Sequence, residues 1–276
     1  SYGSVSLGDL NKDGKQDIIA TSYDQITVFD GFGNTLTGWP KSIYNTSSTP
    51  AVGDMNGDGE LEIFLKTSAS TTPNNTLMTL WDKSGNVLPG WPVTVLGQRG
   101  DSGSSAIFFD LDGNGQQELL VPQFSKLEAY SLNGQKYSAF GSPPYGWYNS
   151  HPTIGKVINT QYMTLIAKHD PITQEGGVYV ISNTGQVVWS QQLSDIQGSA
   201  VAADLDGDGK DEIFVRAGNF GTGIQKIYKY TTDSLTSPNE IPWPQFQFDT
   251  KHSGYFIANG NPDTDGDGFT NKVENY

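Results

Sequence analysis

The chain has 276 residues and no cysteine, and its 30 acidic side chains outweigh 16 basic ones to leave a formal charge of −14. That balance excludes a basic face for nucleic acid and an electrostatic hold on anionic membranes, and the missing thiols exclude a disulfide scaffold, a thiolate zinc site and cysteine nucleophiles. Aromatics at 12% argue against disorder, and no apolar run reaches the ~18 residues of a membrane span.

From Gly8 the segment GDLNKDGKQDIIA reads as a short strand, a nine-residue acidic loop and a second strand. The layout returns in GDMNGDGELEIFL from Gly53, FDLDGNGQQELLV from Phe109 and ADLDGDGKDEIFV from Ala203. A third apolar run follows each pair: Ile26 to Phe29, Leu77 to Trp81, Leu127 to Tyr130 and Ile227 to Tyr230. Then come a Gly/Asn turn and a further short strand, twice ending in Gly-Trp-Pro (Gly38-Trp39-Pro40 and Gly90-Trp91-Pro92). Helix-period segments are scarce.

The first Asp of each loop falls at 9, 54, 110 and 204, and the last gap of 94 is twice 47, so a repeat without the loop is expected between the third and fourth. GKVINTQYMTLIA from Gly155 aligns there without gaps on the Gly8 segment. Lys156 replaces the first Asp, Ile158 the Asn, and Thr160 and Thr164 the remaining polar positions, so this repeat cannot hold a cation through side chains. Lys156 either sets an ammonium where its siblings would hold an ion or is an ordinary solvated lysine.

Five repeats of about four short antiparallel strands describe an all-β chain, a β-propeller with blades at about 4–44, 48–97, 102–148, 149–196 and 197–257. Radial closure protects strand edges that separate hairpins would expose. The layout resembles the FG-GAP/VCBS family of propeller repeats, seen in integrin α-subunit heads and secreted bacterial proteins, over about residues 5–256. Rings of that family usually hold more blades than five, so a larger ring with blades upstream of Ser1 stands beside a closed five-bladed one.

Calcium takes six to eight oxygens, and carboxylates at alternate loop positions wrap one ion while Gly supplies the sharp turn. Side chains at positions 1, 3, 5 and 9 are Asp9, Asn11, Asp13 and Asp17; Asp54, Asn56, Asp58 and Glu62; Asp110, Asp112, Asn114 and Glu118; and Asp204, Asp206, Asp208 and Glu212. Carbonyls at position 7 belong to Lys15, Glu60, Gln116 and Lys210. The resemblance implies the same ligand set. Metal-free Asp/Asn/Gly turns are the other reading, but without an ion three or four carboxylates in one small loop would repel.

A fifth loop, DTDGDGFTNKVE, follows a linker at about 258–262 and matches the twelve-residue EF-hand pattern through Asp263, Asp265, Asp267, the Phe269 carbonyl, Asn271 and Glu274. It resembles aspartate-rich repeats of thrombospondin type 3 or dockerin-like segments, and it stops at Tyr276, as a fragment of a longer protein would. Up to five structural calcium ions are thus expected. The predicted ligand carboxylates number 17 of the 30 acids, and five ions would bring the charge from −14 to about −4.

Other motifs are weaker. Tyr145, Trp147, Tyr148 and His151 form an aromatic cluster of the kind that suits sugars, but Gly146-Trp147 aligns with Gly38-Trp39, which reads Trp147 as blade packing. WPQFQFDTKHSGYF, from Trp243 to Phe256, resembles a segment near the edges of secreted propellers and also reads as packing. No catalytic triad, phosphate cradle or zinc motif is present. The expected function is a non-catalytic, calcium-stabilised extracellular module for binding, adhesion or scaffolding, part of a larger secreted or surface protein of bacterial type, with a glycan or protein ligand. The alternative is a polysaccharide lyase, with His151 and Tyr148 as candidate bases, or a glycan-binding accessory domain of a secreted hydrolase or protease.

Overall fold

The computed structural model describes residues 4–69, 72–97, 103–123, 126–141, 150–158, 161–169, 175–194, 196, 198–203, 210–219, 224–235 and 255–256. Among these residues every regular element is a strand. The first repeat forms β1 (Ser6–Gly8), β2 (Asp17–Thr21), β3 (Gln25–Phe29) and β4 (Lys41–Ser42). The second forms β5 (Ala51–Gly53), β6 (Glu62–Ala69), β7 (Thr72–Trp81) and β8 (Val93–Val95). The third gives β9 (Ile107–Phe109), β10 (Glu118–Pro122) and β11 (Leu127–Tyr130). The fourth gives β12 (Thr153–Ile158), β13 (Gln161–His169), β14 (Glu175–Ile181) and β15 (Val187–Ser194). The fifth gives β16 (Val201–Ala203), β17 (Lys210–Asn219) and β18 (Ile224–Leu235), and the short β19 is Tyr255–Phe256.

Each repeat is one antiparallel sheet whose strands are ordered as in the chain, the blade of a β-propeller. The expected fold class is therefore the observed one. β19 departs from the expected chain order, pairing in parallel with β5 of the second blade (Tyr255 with Val52, Phe256 with Gly53) rather than extending the fifth.

Successive side chains of a strand point to opposite faces, so a central blade must be apolar on both. β6 shows this: residues Glu62 to Ser68 are all buried. Ile63 and Leu65 pack with Leu10, Ile19 and Val28 of the first blade. Phe64 between them packs with Phe108 and Leu119 of the third. The third and fourth blades share a cluster that includes Leu120, Ile154 and Ile166, and the fourth and fifth share one that includes Leu165, Val180 and Val215. The core is thus a series of layers between blades, each fully buried aliphatic or aromatic side chain contributing roughly 1.5–3 kcal/mol.

Two further devices join neighbours. Trp39 and Trp91, the tryptophans of Gly-Trp-Pro, are buried and donate from Nε1 to carbonyls on the next blade, Lys83 at 3.1 Å and Leu132 at 2.8 Å. Trp39 meets Trp81 edge-on, and Trp91 meets Tyr130. Trp39 N–H bonds the Leu36 carbonyl, Trp91 the Leu88 carbonyl, and in the third blade the same bond runs from Phe140 to Tyr137. Phe140 therefore fills the tryptophan position that the repeat alignment assigned to Trp147, which lies outside the described residues. Gly90 precedes Trp91 with φ of 88°, and a Cβ there would meet the Asn133 carbonyl oxygen at 1.9 Å.

The second device sits at the opposite end of each inner strand from the acidic loop. Five residues before the first loop position stand Ser4, Thr49, Ser105, His151 and Ser199. Each backbone N–H donates to the side chain of its successor: Ser4 to Thr49 Oγ1 (3.0 Å), Thr49 to Ser105 Oγ (2.8 Å), Ser105 to His151 Nδ1 (2.9 Å) and His151 to Ser199 Oγ (2.8 Å). Four bonds of one kind thus string the five blades together.

Ser105→Ala leaves the buried Thr49 N–H without its acceptor and is expected to cost about 1–3 kcal/mol. Gly90→Ala combines a left-handed backbone with a backbone clash and should cost at least about 2 kcal/mol. Urea unfolding of the two variants against the parent checks both, and unchanged midpoints would show that these contacts do not couple the blades.

Candidate metal centre

Each acidic loop connects the first and second strands of its blade, and the first three share one internal hydrogen-bond plan. The position-1 Asp folds the loop around its own carboxylate. Asp54 Oδ1 accepts from Gly57 N–H (2.7 Å) and Asp58 N–H (3.1 Å), and Oδ2 from Gly59 N–H (2.7 Å). Asp110 repeats this with Gly113, Asn114 and Gly115. Asp9 does so with Asp13 and Gly14. Positions 3 and 5 each accept the N–H two residues on, as Asn56 from Asp58 and Asp58 from Glu60 (2.7 Å).

Position 4 takes a positive φ in all three of these loops. Gly57 and Gly113 supply it at 75° and 76°, whereas the first loop puts Lys12 there at 57°. Lys12 compensates across the blade boundary, its ammonium 2.6 Å from Glu60 Oε1, with Lys83 on the other carboxylate oxygen.

Position 9 is different in kind. Asp17, Glu62 and Glu118 open the second strand of their blades, Glu212 is the third residue of its own, and all four are buried. Asp17, Glu62 and Glu118 accept the N–H of the apolar position-2 residue: Leu10 at 2.9 Å, Met55 at 2.7 Å and Leu111 at 2.9 Å. Leu10, Met55 and Leu111 sit in the interblade cores. The core thus fixes the loop at position 2 and presents a desolvated carboxylate at position 9.

Desolvation by burial comes first in raising the Glu62 carboxyl to about 7, with Asp54, Asp58 and Asp82 adding repulsion and the Met55 N–H opposing. Burial likewise raises Glu118 to about 7, helped by Asp112 and Asp110 and opposed by the Leu111 N–H. Asp17 is raised for the same reasons, burial first, then Asp9 and Asp13. The charges named on all three are negative.

Carboxylate oxygens of Asp110, Asp112 and Glu118 all lie within 4.8 Å of one another. Oxygen-only donors, a sharp Gly-bearing turn and a buried acid with no counter-charge among the described residues fit a hard divalent cation of calcium type. Two position-7 side chains turn elsewhere, Lys15 over the Phe32 ring at 4.2 Å and Glu60 to Lys12, leaving the main chain as the donor at that position in these two loops. Tyr137, unmarked by any sequence pattern, donates its hydroxyl to Asp112 Oδ2 at 3.0 Å from the outer part of the blade.

The remaining predicted residues divide. Asp204, Asp206 and Asp208 lie outside the described residues, as do Asp263, Asp265, Asp267, Phe269, Asn271 and Glu274, and Tyr145 and Tyr148. Glu212, opposite Ala203 as Glu62 is opposite Gly53, has the Lys229 ammonium 3.4 Å from Oε1. In the fourth blade the acidic loop is replaced by a near-direct hairpin, with Ile158 opposite Gln161. Gly155 there pairs with Met163 rather than with Thr164, the residue the gapless alignment places at position 9. With no loop to span, the ladder runs further and shifts register. His151 is only partly exposed. Its Nδ1 is taken by the Ser105 N–H, and burial, followed by the Lys66 charge, lowers it to about 3, so it stays neutral as a blade link.

Two segments match known repeat families: residues 9–65 match an FG-GAP-like repeat and residues 198–228 an FG-GAP repeat. These matches support an FG-GAP-type β-propeller. No curated protein matches the chain. Among solved structures, the V. cholerae biofilm matrix protein Bap1 is similar at 18% identity and a TM-score of 0.47, over 78% of this chain and 36% of that one. Kuenenia stuttgartiensis hydrazine synthase is similar at 7% identity and 0.47, over 88% and 70%. The exo-beta-1,3-galactanase of Phanerochaete chrysosporium is similar at 11% and 0.40, over 86% and 67%. The chain spans about a third of the Bap1 chain.

An acid whose folded pKa lies above its unfolded value binds an extra proton in the folded state, so its contribution to stability falls as pH rises between the two values. For Glu62 that window runs from about 4.5 to about 7. His151 acts with the opposite sign in an overlapping window, so a difference between variants isolates the carboxylate. In chelator at pH 8, Glu62→Gln should melt above the parent, and the gap should close as pH falls toward 5. Differential scanning calorimetry across that range checks it; a gap independent of pH would contradict the assignment.

Proposed function

We propose that this chain is a non-catalytic, calcium-stabilised β-propeller that serves outside the cell as a binding, adhesion or scaffolding module of a larger secreted or surface protein. The observation that carries the reading is the buried position-9 carboxylate, repeated in register at Asp17, Glu62, Glu118 and Glu212. A protein that only needed turns would not bury an acid beside two or three others, because desolvation and repulsion both disfavour it. A bound calcium ion would neutralise that charge and tie both strands of the hairpin together.

In this reading Asp9, Asn11, Asp13 and Asp17 hold one ion, Asp54, Asn56, Asp58 and Glu62 a second, and Asp110, Asp112, Asn114 and Glu118 a third. The fourth and fifth ions fall to the loops beginning at Asp204 and Asp263. Calcium is millimolar outside cells, where even weak loops of this kind fill. The FG-GAP-type matches support a propeller whose role is recognition. No helix among the described residues is long and apolar enough to cross a membrane. The partner we propose is a glycan or a protein. A lyase would need an available base in a cleft, and the Nδ1 of His151 is already engaged inside the blade stack.

An ion that binds only the folded state stabilises it by about 2.7 kcal/mol per site at a hundredfold excess over its Kd. The melting temperature should therefore rise by several degrees or more from chelator to millimolar calcium, with magnesium giving less. Asp110→Asn should remove part of that rise while changing the chelator value little. Thermal melts in chelator, calcium and magnesium test the proposal, and a calcium-independent melting temperature would sink it.

A further inference from the structure

Between the second and third blades, β8 and the β10–β11 hairpin enclose a pocket of about 280 Å³ whose lining includes no residue of an acidic loop. Val95 and the exposed Leu96 form one wall. Across from them the lining is polar: Gln123, Lys126, Glu128, Tyr130 and Lys136.

The polar groups are arranged in depth. Glu128 is only 8% exposed and accepts the Tyr130 hydroxyl and the Lys136 ammonium, each at 2.7 Å, with Lys126 at 3.9 Å. Gln123 is 1% exposed, and its Nε2 donates to the Met78 sulfur, a weak acceptor. Its Oε1 is buried without any hydrogen-bond partner. A buried amide oxygen in that state calls for a donor from outside the protein. Nearer the mouth, the two ammonium groups are 37% and 62% exposed and outnumber the one carboxylate, which makes this pocket locally positive within a chain of charge −14.

Size narrows the ligand further. The volume falls just below the roughly 300–1,000 Å³ of pockets for drug-sized molecules, which suits a single ring-sized unit. The Tyr130 hydroxyl is already given to Glu128 and its ring packs on Trp91, so recognition here runs through hydrogen bonds and charge from the other polar groups.

We propose that this pocket binds one acidic sugar residue, with a hydroxyl donating to Gln123 Oε1 and the sugar carboxylate lying between the Lys126 and Lys136 ammonium groups. The proposal rests on the binding-module reading and names a ligand class for it. The same chemistry could come from a free sugar acid or from the end of a polysaccharide chain.

The test is calorimetric titration of the calcium-saturated chain with glucuronate, glucose, acetate and a glucuronate-terminated oligosaccharide. Glucuronate should bind, at least tenfold more tightly than glucose or acetate, and should weaken with added salt. Lys126→Gln should lower its affinity about tenfold with an unchanged melting temperature, since Lys126 lies at the mouth. Equal or tighter binding of the oligosaccharide identifies the chain end as the source, and weaker binding the free acid; both support the site. Absence of glucuronate binding at 10 mM, equal binding of glucose or acetate, or indifference to Lys126→Gln overturns it. The calcium-dependent melting shift, read on the same samples, reports on the calcium reading separately.

Discussion

A short antiparallel sheet that is apolar on both faces cannot stand alone in water, and this constraint organises the molecule. β6 is buried from Glu62 to Ser68 because the first blade covers one face and the third the other. Every described core cluster lies between two consecutive blades. The polar links serve the same stacking: indole N–H groups of Trp39 and Trp91 reach into the next blade on its outer side, and the chain from Ser4 to Ser199 joins the inner strands. Stability is therefore a sum over neighbours, as in other repeat architectures.

The acidic loops depend on that stacking. An isolated Asp/Asn/Gly loop would leave its carboxylates in water at little cost. Here the apolar residue at position 2 is drawn into the interblade core, and position 9 follows it inward to accept its N–H. Glu62 and Glu118 then stand desolvated beside other acids, which is why their carboxyl groups are pushed up to about 7. The electrostatic strain in the loop is thus a product of packing, with hydrophobic burial holding the negative groups together. The fourth blade shows the converse. Met163, opposite Gly155 where the other blades place the acid, carries no charge to neutralise, and the strands close into a tighter hairpin with a shifted register.

Much of this was legible in the residues. Repetition of the Asp/Asn/Gly loop at near-constant spacing marks the blades, because a loop of fixed chemistry needs fixed flanking strands. Short apolar runs on either side of each loop mark the strands. The polar residue five places before each loop was equally available, since Ser4, Thr49, Ser105, His151 and Ser199 align once the repeats do. Its meaning was not, because a serine, a threonine and a histidine share no obvious role until Thr49, Ser105, His151 and Ser199 are each seen accepting the backbone N–H of the counterpart one blade back. Phe140 illustrates a different failure. The Gly-Trp pair at 146–147 drew the alignment by residue identity, whereas the backbone places Phe140 in the tryptophan's turn, where any large aromatic can fill the space.

Sequence alone determined the repeat, the all-β class, the loop chemistry and the acidic character, since each is a local property of composition and spacing. Tertiary structure decided which acids are buried, which histidine links two blades, where β19 pairs, and where two lysines, a glutamate and an amide oxygen without a hydrogen-bond partner meet in one pocket. Those outcomes join residues of different strands and blades, and no local pattern encodes distances that only the stacking of sheets creates.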